Sequence, residues 1–220
     1  MSLTDIGGPS ANMYGFDCQK GWLCQRQSCT FPKLCPNLVV KTGPWIDLLD
    51  SAARIKGVKR VTIGSGVRYD LILRDSESRD VMRGLCERHI SGQLKIAPEH
   101  TEPEVLAAMR KTPAAELKDF VSLFREAAAR SGRRLYLLPY LMSCHPGCTL
   151  AHMQAMRQEV MRIFGFIPQQ VQAFIPLPMT LSSVIYHTGV DPLTMARLSV
   201  ERNTRRRQRQ HQVFFIDKRP

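Results

Sequence analysis

Strand-like and helix-like stretches alternate along this chain of 220 residues, and that alternation constrains its fold more than any other feature. Val58–Ile63, Leu94–Ala97, Leu135–Met142 and Val171–Ile175 read as strands. Leu135–Met142 is the strongest of them, an apolar run suited to a sheet covered on both faces. Between them, Trp45–Ile55, Glu77–His89, Ala114–Arg130 and Thr149–Phe164 carry apolar residues at helical spacing. Thr101, Pro103 and Glu104 spell a capping box for a helix through Met109, Gly132 is placed to end the helix before it, and Pro192–Val200 reads as a last helix. This order predicts an α/β fold: a parallel sheet with right-handed crossovers and outer helices. One further strand would end at Asp5-Ile6-Gly7 and is expected to lie outside the chain, so Met1–Leu3 receive no structural weight.

The expected organisation is one α/β domain over residues 1–200, containing a cysteine-rich loop at 15–38, followed by a basic tail at 201–220. No run of about 18 apolar residues occurs, and no basic-then-apolar leader is visible, so a membrane span is not expected. Seven cysteines without such a leader point to a reducing cytoplasm, and the odd count argues against a closed disulfide framework. Net charge is +12, and half of it falls between Arg197 and Pro220, where eight Lys or Arg face two acids. Such a tail is either a solvated, partly disordered end or an electrostatic footprint for nucleic acid.

Four of the cysteines lie close together: Cys18, Cys24, Cys29 and Cys35, in C-x5-C-x4-C-x5-C. Four soft donors on a short loop suit zinc or an iron–sulfur cluster. The spacing matches neither the C-x2-C pairs of zinc ribbons nor a ferredoxin run, so iron–sulfur, zinc and free thiols all stay open. Polar residues also gather after the strands: Gly64–Asp70, Ala97–His100, Tyr140–Gly147 and Ile175–Pro178. Parallel β/α folds bind ligands at the carboxyl ends of their strands, so these four loops mark a candidate site.

Several segments are near-literal family signatures. They are Asp5-Ile6-Gly7-Gly8-Pro9-Ser10-Ala11-Asn12-Met13-Tyr14, Cys24-Gln25-Arg26-Gln27-Ser28-Cys29, Gly64–Asp70, Leu94–Thr101 and Gln170–Pro178. In this order, from about Asp5 to Gly189, the chain resembles the YgiQ-type family of radical S-adenosylmethionine (SAM) proteins. The resemblance implies a partial (β/α) barrel in which a C-x3-C-x2-C loop holds a [4Fe–4S] cluster. That cluster cleaves SAM to a 5′-deoxyadenosyl radical that acts on a substrate the sequence does not identify. This chain has no C-x3-C-x2-C: Cys144 and Cys148 have the first spacing, but residue 151 is Ala. The expectation is therefore a fragment of a radical SAM enzyme that starts after the cluster loop, inactive alone and partnered by the missing N-terminal part.

By the same resemblance, Gly7, Gly8 and Pro9 stand where a turn meets the SAM amino group; a plain tight turn is the other reading. Ser65, Arg68, Lys95, Glu99 and His100 become SAM-side contacts, against a surface salt bridge for Arg68 and helix capping for Glu99. Phe174, Ile175 and Pro176 match a segment packing on adenine, although core packing explains them equally well. Tyr140, Ser143 and His145 are substrate-side candidates, and Cys18, Cys24, Cys29 and Cys35 would hold an auxiliary [4Fe–4S] cluster or zinc. The rival expectation is a metal-stapled α/β module whose tail binds nucleic acid.

Overall fold

The computed structural model describes residues 1–6 and 11–218. The chain divides into two compact units, residues 1–97 with 116–138, and residues 98–115 with 139–220. A parallel four-stranded sheet is present, in the order β5 (Gly66–Val67), β6 (Gln93–Glu99), β7 (Tyr136–Ser143) and β8 (Val171–Ala173); the last three are strands that the alternation predicts, whereas the predicted strand at 58–63 pairs elsewhere and the loop after it supplies β5. Gly66 stands opposite Lys95 in one pair, and Met142 opposite Gln172 in another.

In the first unit, β1 (Ser2–Thr4) pairs in parallel with β4 (Arg60–Thr62), Leu3 opposite Val61. This corrects the expectation for the first residues: they are strand, and the Met1 ammonium donates to the Gly57 carbonyl at 2.9 Å. A two-residue antiparallel ribbon, β2 (Asp17–Cys18) with β3 (Leu38–Val39), closes the cysteine-rich loop. The apolar stripes of α1 (Gly43–Ala53), α2 (Tyr69–Ile72), α3 (Ser78–Gly84) and α5 (Leu117–Arg130) meet around fully buried Trp45, Leu49, Ile72, Met82 and Phe120. In α5 the buried set is Leu117, Phe120, Val121, Phe124, Ala127 and Ala128, a stripe at helical spacing; Leu123 falls at its edge and is half-buried. Burying such side chains stabilises by roughly 1.5–3 kcal/mol each.

In the second unit, α4 (Pro103–Ala108) starts without the expected capping box. Glu102 is the N-cap and makes no capping bond, while the Thr101 hydroxyl donates to the Glu102 carboxylate at 3.3 Å. The capping box forms instead at α6 (Leu150–Phe164): Thr149 Oγ1 accepts from His152 N–H, and His152 Nδ1 accepts from Thr149 N–H. Gly165, at φ +78°, ends α6 in the left-handed conformation that glycine adopts without a Cβ clash.

Two further expectations are corrected in this unit. Residues 192–200 are not helical; Val190 and Arg197 bridge, and the Asp191 carboxylate accepts from Leu193 N–H and from Arg110 at 2.6 Å. The helix lies earlier, α7 (Leu181–Thr188), with Thr180 as N-cap. Nor is the basic tail a solvated end over its described length. It forms α8 (Thr204–Gln212), and Gln210, Val213 and Phe214 are buried. Arg207 donates to the carbonyls of Phe174 at 2.5 Å and Cys144 at 3.4 Å, and its guanidinium lies over the Tyr186 ring. Among the described residues, no helix is long and apolar enough to cross a membrane.

Candidate functional site

The strand ends share a backbone signature. Asp5 follows β1, Glu99 closes β6 and Cys144 follows β7, and all three are non-glycine residues at positive φ, +62°, +65° and +62°. Such conformations cost about 1–3 kcal/mol each and persist where surrounding bonds hold them. The bonds differ between the two units.

In the first unit the strand-end residues converge on Asp5. Its Oδ1 accepts from Gly64 N–H at 2.8 Å, Ser65 N–H at 2.7 Å and the Ser65 hydroxyl at 2.9 Å. Burial pushes the Asp5 carboxyl up, but the Ser65 and Gly64 hydrogen bonds, helped by the Lys95 charge, outweigh it and hold the group below the usual range. Ser65, expected to contact ligand, therefore serves this carboxylate, and Lys95 adds its charge to it; sequence reading had not singled out Asp5 for that role. Arg68 is also engaged: its Nε and Nη2 meet the two Asp70 oxygens at 2.9 and 2.6 Å, a bidentate pair that raises the guanidinium pKa. Asn12, fully buried, clasps the Arg68 backbone through reciprocal bonds of 3.0 Å. Gly7, Gly8 and Pro9 lie outside the described residues.

In the second unit the sequence Ser143-Cys144-His145-Pro146-Gly147-Cys148 builds a buried polar cluster at the end of β7. Ser143 Oγ lies 3.1 Å from His211 Nδ1. His145 Nε2 meets the Ser182 hydroxyl and Nδ1 the Pro146 carbonyl, both at 2.8 Å, and its ring stands edge-on to Phe174 with centroids 5.0 Å apart. His100 is fully buried; its Nδ1 accepts from Glu102 N–H at 3.1 Å, which leaves the ring proton on Nε2, 3.6 Å from Cys148 Sγ. Burial drives the His100 pKa down to about 3, helped by the neighbouring His152 and His145. It drives His145 down to about 4, against the Pro146 carbonyl bond, and the Cys148 thiol up to about 12.

The His100–Cys148 pair is consequently neutral, a thiol beside an imidazole, and lacks the thiolate that nucleophilic catalysis uses. Of the remaining candidates, Glu99 faces Lys111 at 3.7 Å and makes no helix cap. Phe174 is core, Ile175 is exposed, Pro176 is half-buried, and Tyr140 is a half-buried position of β7. Sequence reading missed His211, Arg207, Ser182 and Gln210, which reach the cluster from α7 and α8; no local signal marked them.

The four-cysteine loop is held by its backbone. Arg26 donates to the carbonyls of Ser28 and Lys33, both at 2.7 Å, and Cys35 N–H to Cys29 C=O at 2.8 Å. Cys24 and Cys35 share a cavity of ≈ 470 Å³ with Lys20 and Arg26. All four thiols are free, and among the described residues no three His, Cys, Asp or Glu side chains are grouped to hold a metal ion. The donor set as arranged does not fit a cluster or a tetrahedral ion, and the chain also lacks the C-x3-C-x2-C donors of a SAM-cleaving cluster.

The fold and its strand ends define the class: an α/β chain whose polar residues collect at the carboxyl ends of a parallel sheet. Its relatives agree on a family name. The chain is 36% identical to a UPF0313 protein of Fusobacterium nucleatum subsp. nucleatum over 216 residues, 96% of this chain and 38% of that protein. It is 39% identical to a UPF0313 protein of Methanocella arvoryzae over 209 residues, 94% and 34% of the two chains, and 35% identical to one from Thermotoga neapolitana over 221 residues, 99% and 38%. It thus spans little more than a third of the length of these relatives. Residues 169–218, from β8 through α8, match a family model described as a domain of unknown function, DUF3362.

Proposed function

We propose that this chain supplies a SAM-side wall of a radical SAM enzyme. Its contribution is to bind and orient SAM and to keep water from the reacting centre. The observation that carries this reading is the pair of non-glycine residues in left-handed conformation at the carboxyl ends of β1 and β6, Asp5 and Glu99, both within the near-literal family segments. The cluster that would cleave SAM has no ligand set in this chain, so its thiolates would come from another polypeptide segment. The roles left to this chain are non-redox ones: Lys95 to place positive charge beside the SAM carboxylate, and Glu99 to accept from ribose hydroxyls.

Equilibrium dialysis of the full chain against labelled SAM tests the reading. Binding that Lys95→Ala or Glu99→Gln weakens about fivefold is expected, the loss of one charge-assisted hydrogen bond. No binding at millimolar SAM overturns it. Anaerobic purification with metal and sulfide analysis tests the loop separately: iron with acid-labile sulfide means an auxiliary cluster, one zinc a staple, and neither, with every thiol titratable, removes the metal.

A second reading rests on α8, which leaves Arg205, Arg206 and Arg209 exposed. These would bind a nucleic-acid backbone, with duplex affinity falling steeply as salt rises. Absence of binding at low salt removes it.

A further inference from the structure

The loop from Cys18 to Cys35 carries four free thiols that the SAM reading does not use. Among the described residues no three donors are grouped to hold a metal ion, so a metal staple gives no account of them. The backbone brings two of the four together: Cys35 N–H donates to Cys29 C=O at 2.8 Å. With standard bond lengths, that single bond keeps the two Cα atoms within about 6.7 Å of each other. Disulfides span Cα separations of about 4.4–6.8 Å. The other two cysteines are tied elsewhere: Cys24 N–H goes to Gly21 C=O, and Cys18 stands opposite Leu38 in the β2–β3 ribbon.

The segment between Cys29 and Cys35 is braced. Arg26 donates through Nε to the Ser28 carbonyl and through Nη2 to the Lys33 carbonyl, so one guanidinium grips both ends of the turn. Ser28 Oγ accepts from Thr30 N–H at 3.2 Å and from Phe31 N–H at 3.0 Å. Bracing of this kind holds two reacting groups at high effective concentration. The two sulfurs also differ in surroundings. The Cys35 sulfur receives the Asn37 backbone N–H and, at 3.8 Å, the Asn37 side-chain amide, with the Arg26 charge nearby. Donors and positive charge favour the nucleophilic form of a thiol. Cys35 is buried from bulk solvent but lines the cavity of ≈ 470 Å³ that Lys20 and Arg26 flank, which has room for a small oxidant. Cys29 is half-buried and lies within reach through the backbone tie.

We propose that Cys29 and Cys35 form a reversible dithiol–disulfide pair that reacts with hydrogen peroxide, Cys35 attacking and Cys29 resolving. The Cys35 thiolate attacks one peroxide oxygen and the O–O bond breaks. The departing hydroxide takes up the proton that the thiol gave up and leaves as water, and Cys35 is left as a sulfenic acid. The Cys29 sulfur then attacks the Cys35 sulfur. The S–O bond breaks, and the hydroxide leaves with the Cys29 proton as a second water. Two thiols thus lose two electrons to one peroxide, giving one disulfide and two waters. A small dithiol reductant reverses the step by exchange and becomes a disulfide itself. The inference uses neither SAM nor a metal, and it stands or falls separately from the SAM reading.

The test is oxidation of the reduced full chain with hydrogen peroxide, followed by alkylation of the remaining thiols, trypsin and peptide mass spectrometry. Lys20, Arg26 and Lys33 separate the four loop cysteines into four tryptic peptides, so each cross-link is read directly. The expected product joins the Cys29 and Cys35 peptides and disappears on treatment with dithiothreitol. Cys29→Ser should abolish it and leave Cys35 as a sulfenic acid that dimedone traps. Cys35→Ser should abolish it and leave Cys29 without a dimedone adduct, because the attacking thiol is gone. Iron or zinc bound stoichiometrically to these thiols in the purified chain overturns the inference. So does a cross-link from Cys35 to Cys24 or Cys18 in place of Cys29, a Cys29–Cys35 link that dithiothreitol does not reverse, a dimedone adduct on Cys29 in Cys35→Ser, or no cross-link at millimolar peroxide.

Discussion

Cysteines lie in two contrasting regions of this molecule. The loop from Cys18 to Cys35 holds four, three of them partly exposed, on a segment tied down mainly by backbone bonds and the Arg26 side chain. There the Asn37 backbone N–H, against some burial and with help from Arg26, holds the Cys35 thiol below its usual range. The turn from Ser143 to Cys148 holds two, both buried, and apolar surroundings push the Cys148 thiol up to about 12. The same residue is acidified where N–H donors and a guanidinium face it, and made inert where they do not. A count of cysteines draws attention to the loop; the denser polar chemistry is in the turn.

The largest expected effect tests that contrast directly. Iodoacetamide at pH 8 should label the partly exposed Cys18, Cys24 and Cys29 more than about a hundredfold faster than Cys148, which is buried and whose thiol is pushed up to about 12, far above the pH of the reaction. Peptide mass spectrometry over a time course reads it. Comparable rates would show that the turn opens readily and end the contrast.

Next in size is His100→Ala, expected to cost about 2–4 kcal/mol by urea unfolding, because it removes a buried ring and orphans the Glu102 N–H. The pH dependence follows from sign. His100 and His145 titrate near 3 and 4 when folded and near 6.5 when unfolded, so the unfolded chain takes up protons first. Their stability is complete above about pH 6.5 and is lost as pH falls towards 3–4, with a limiting slope of roughly 1.4 kcal/mol per pH unit for each. His100→Ala should shallow that slope; an unchanged slope would break the assignment.

Asp5→Asn should cost less, about 1–2 kcal/mol, by weakening the acceptor that Gly64 and Ser65 share. Its carboxyl is depressed when folded, so the contribution is present above the ordinary carboxylate pKa and lost as pH falls through the folded value. Chemical unfolding at pH 7 and pH 3 should show a larger difference between variant and parent at the higher pH. Smallest of all, Cys24→Ser should change stability by less than about 0.5 kcal/mol, since the side chain is partly exposed and accepts only one long contact, from Arg26 N–H at 3.5 Å. A loss of several kcal/mol would mean that the loop depends on its thiols, as a metal staple would.

Reading the sequence recovered what depends on short-range pattern. The α5 stripe, the span of α6, β7 and β8 follow from periodicity. Errors came where a local pattern was ambiguous and where partners are distant. Thr101 and Glu104 have the spacing of a capping box, but the Thr101 hydroxyl turns to Glu102. The box at Thr149 escaped notice because its third residue on is histidine, outside the usual Glu or Gln pattern. α7 was missed between Pro178 and Gly189, where β-branched and hydroxyl residues weaken the helical signal. The basic tail read as solvated because a run of arginines usually is, yet Arg207 spends its donors on the carbonyls of Phe174 and Cys144.

The sequence by itself determined the parallel α/β layout, its helix stripes and the placement of polar residues after its strands, because periodicity and backbone conformation are local properties. Only the tertiary structure decided which of those residues are spent on the fold: Ser65 on Asp5, Arg68 on Asp70, His145 on Ser182. It also decided that Gln210 would reach Cys148 across 62 residues and leave its oxygen without a partner. Burial and hydrogen-bond pairing are set by neighbours far along the chain, and no local pattern encodes them.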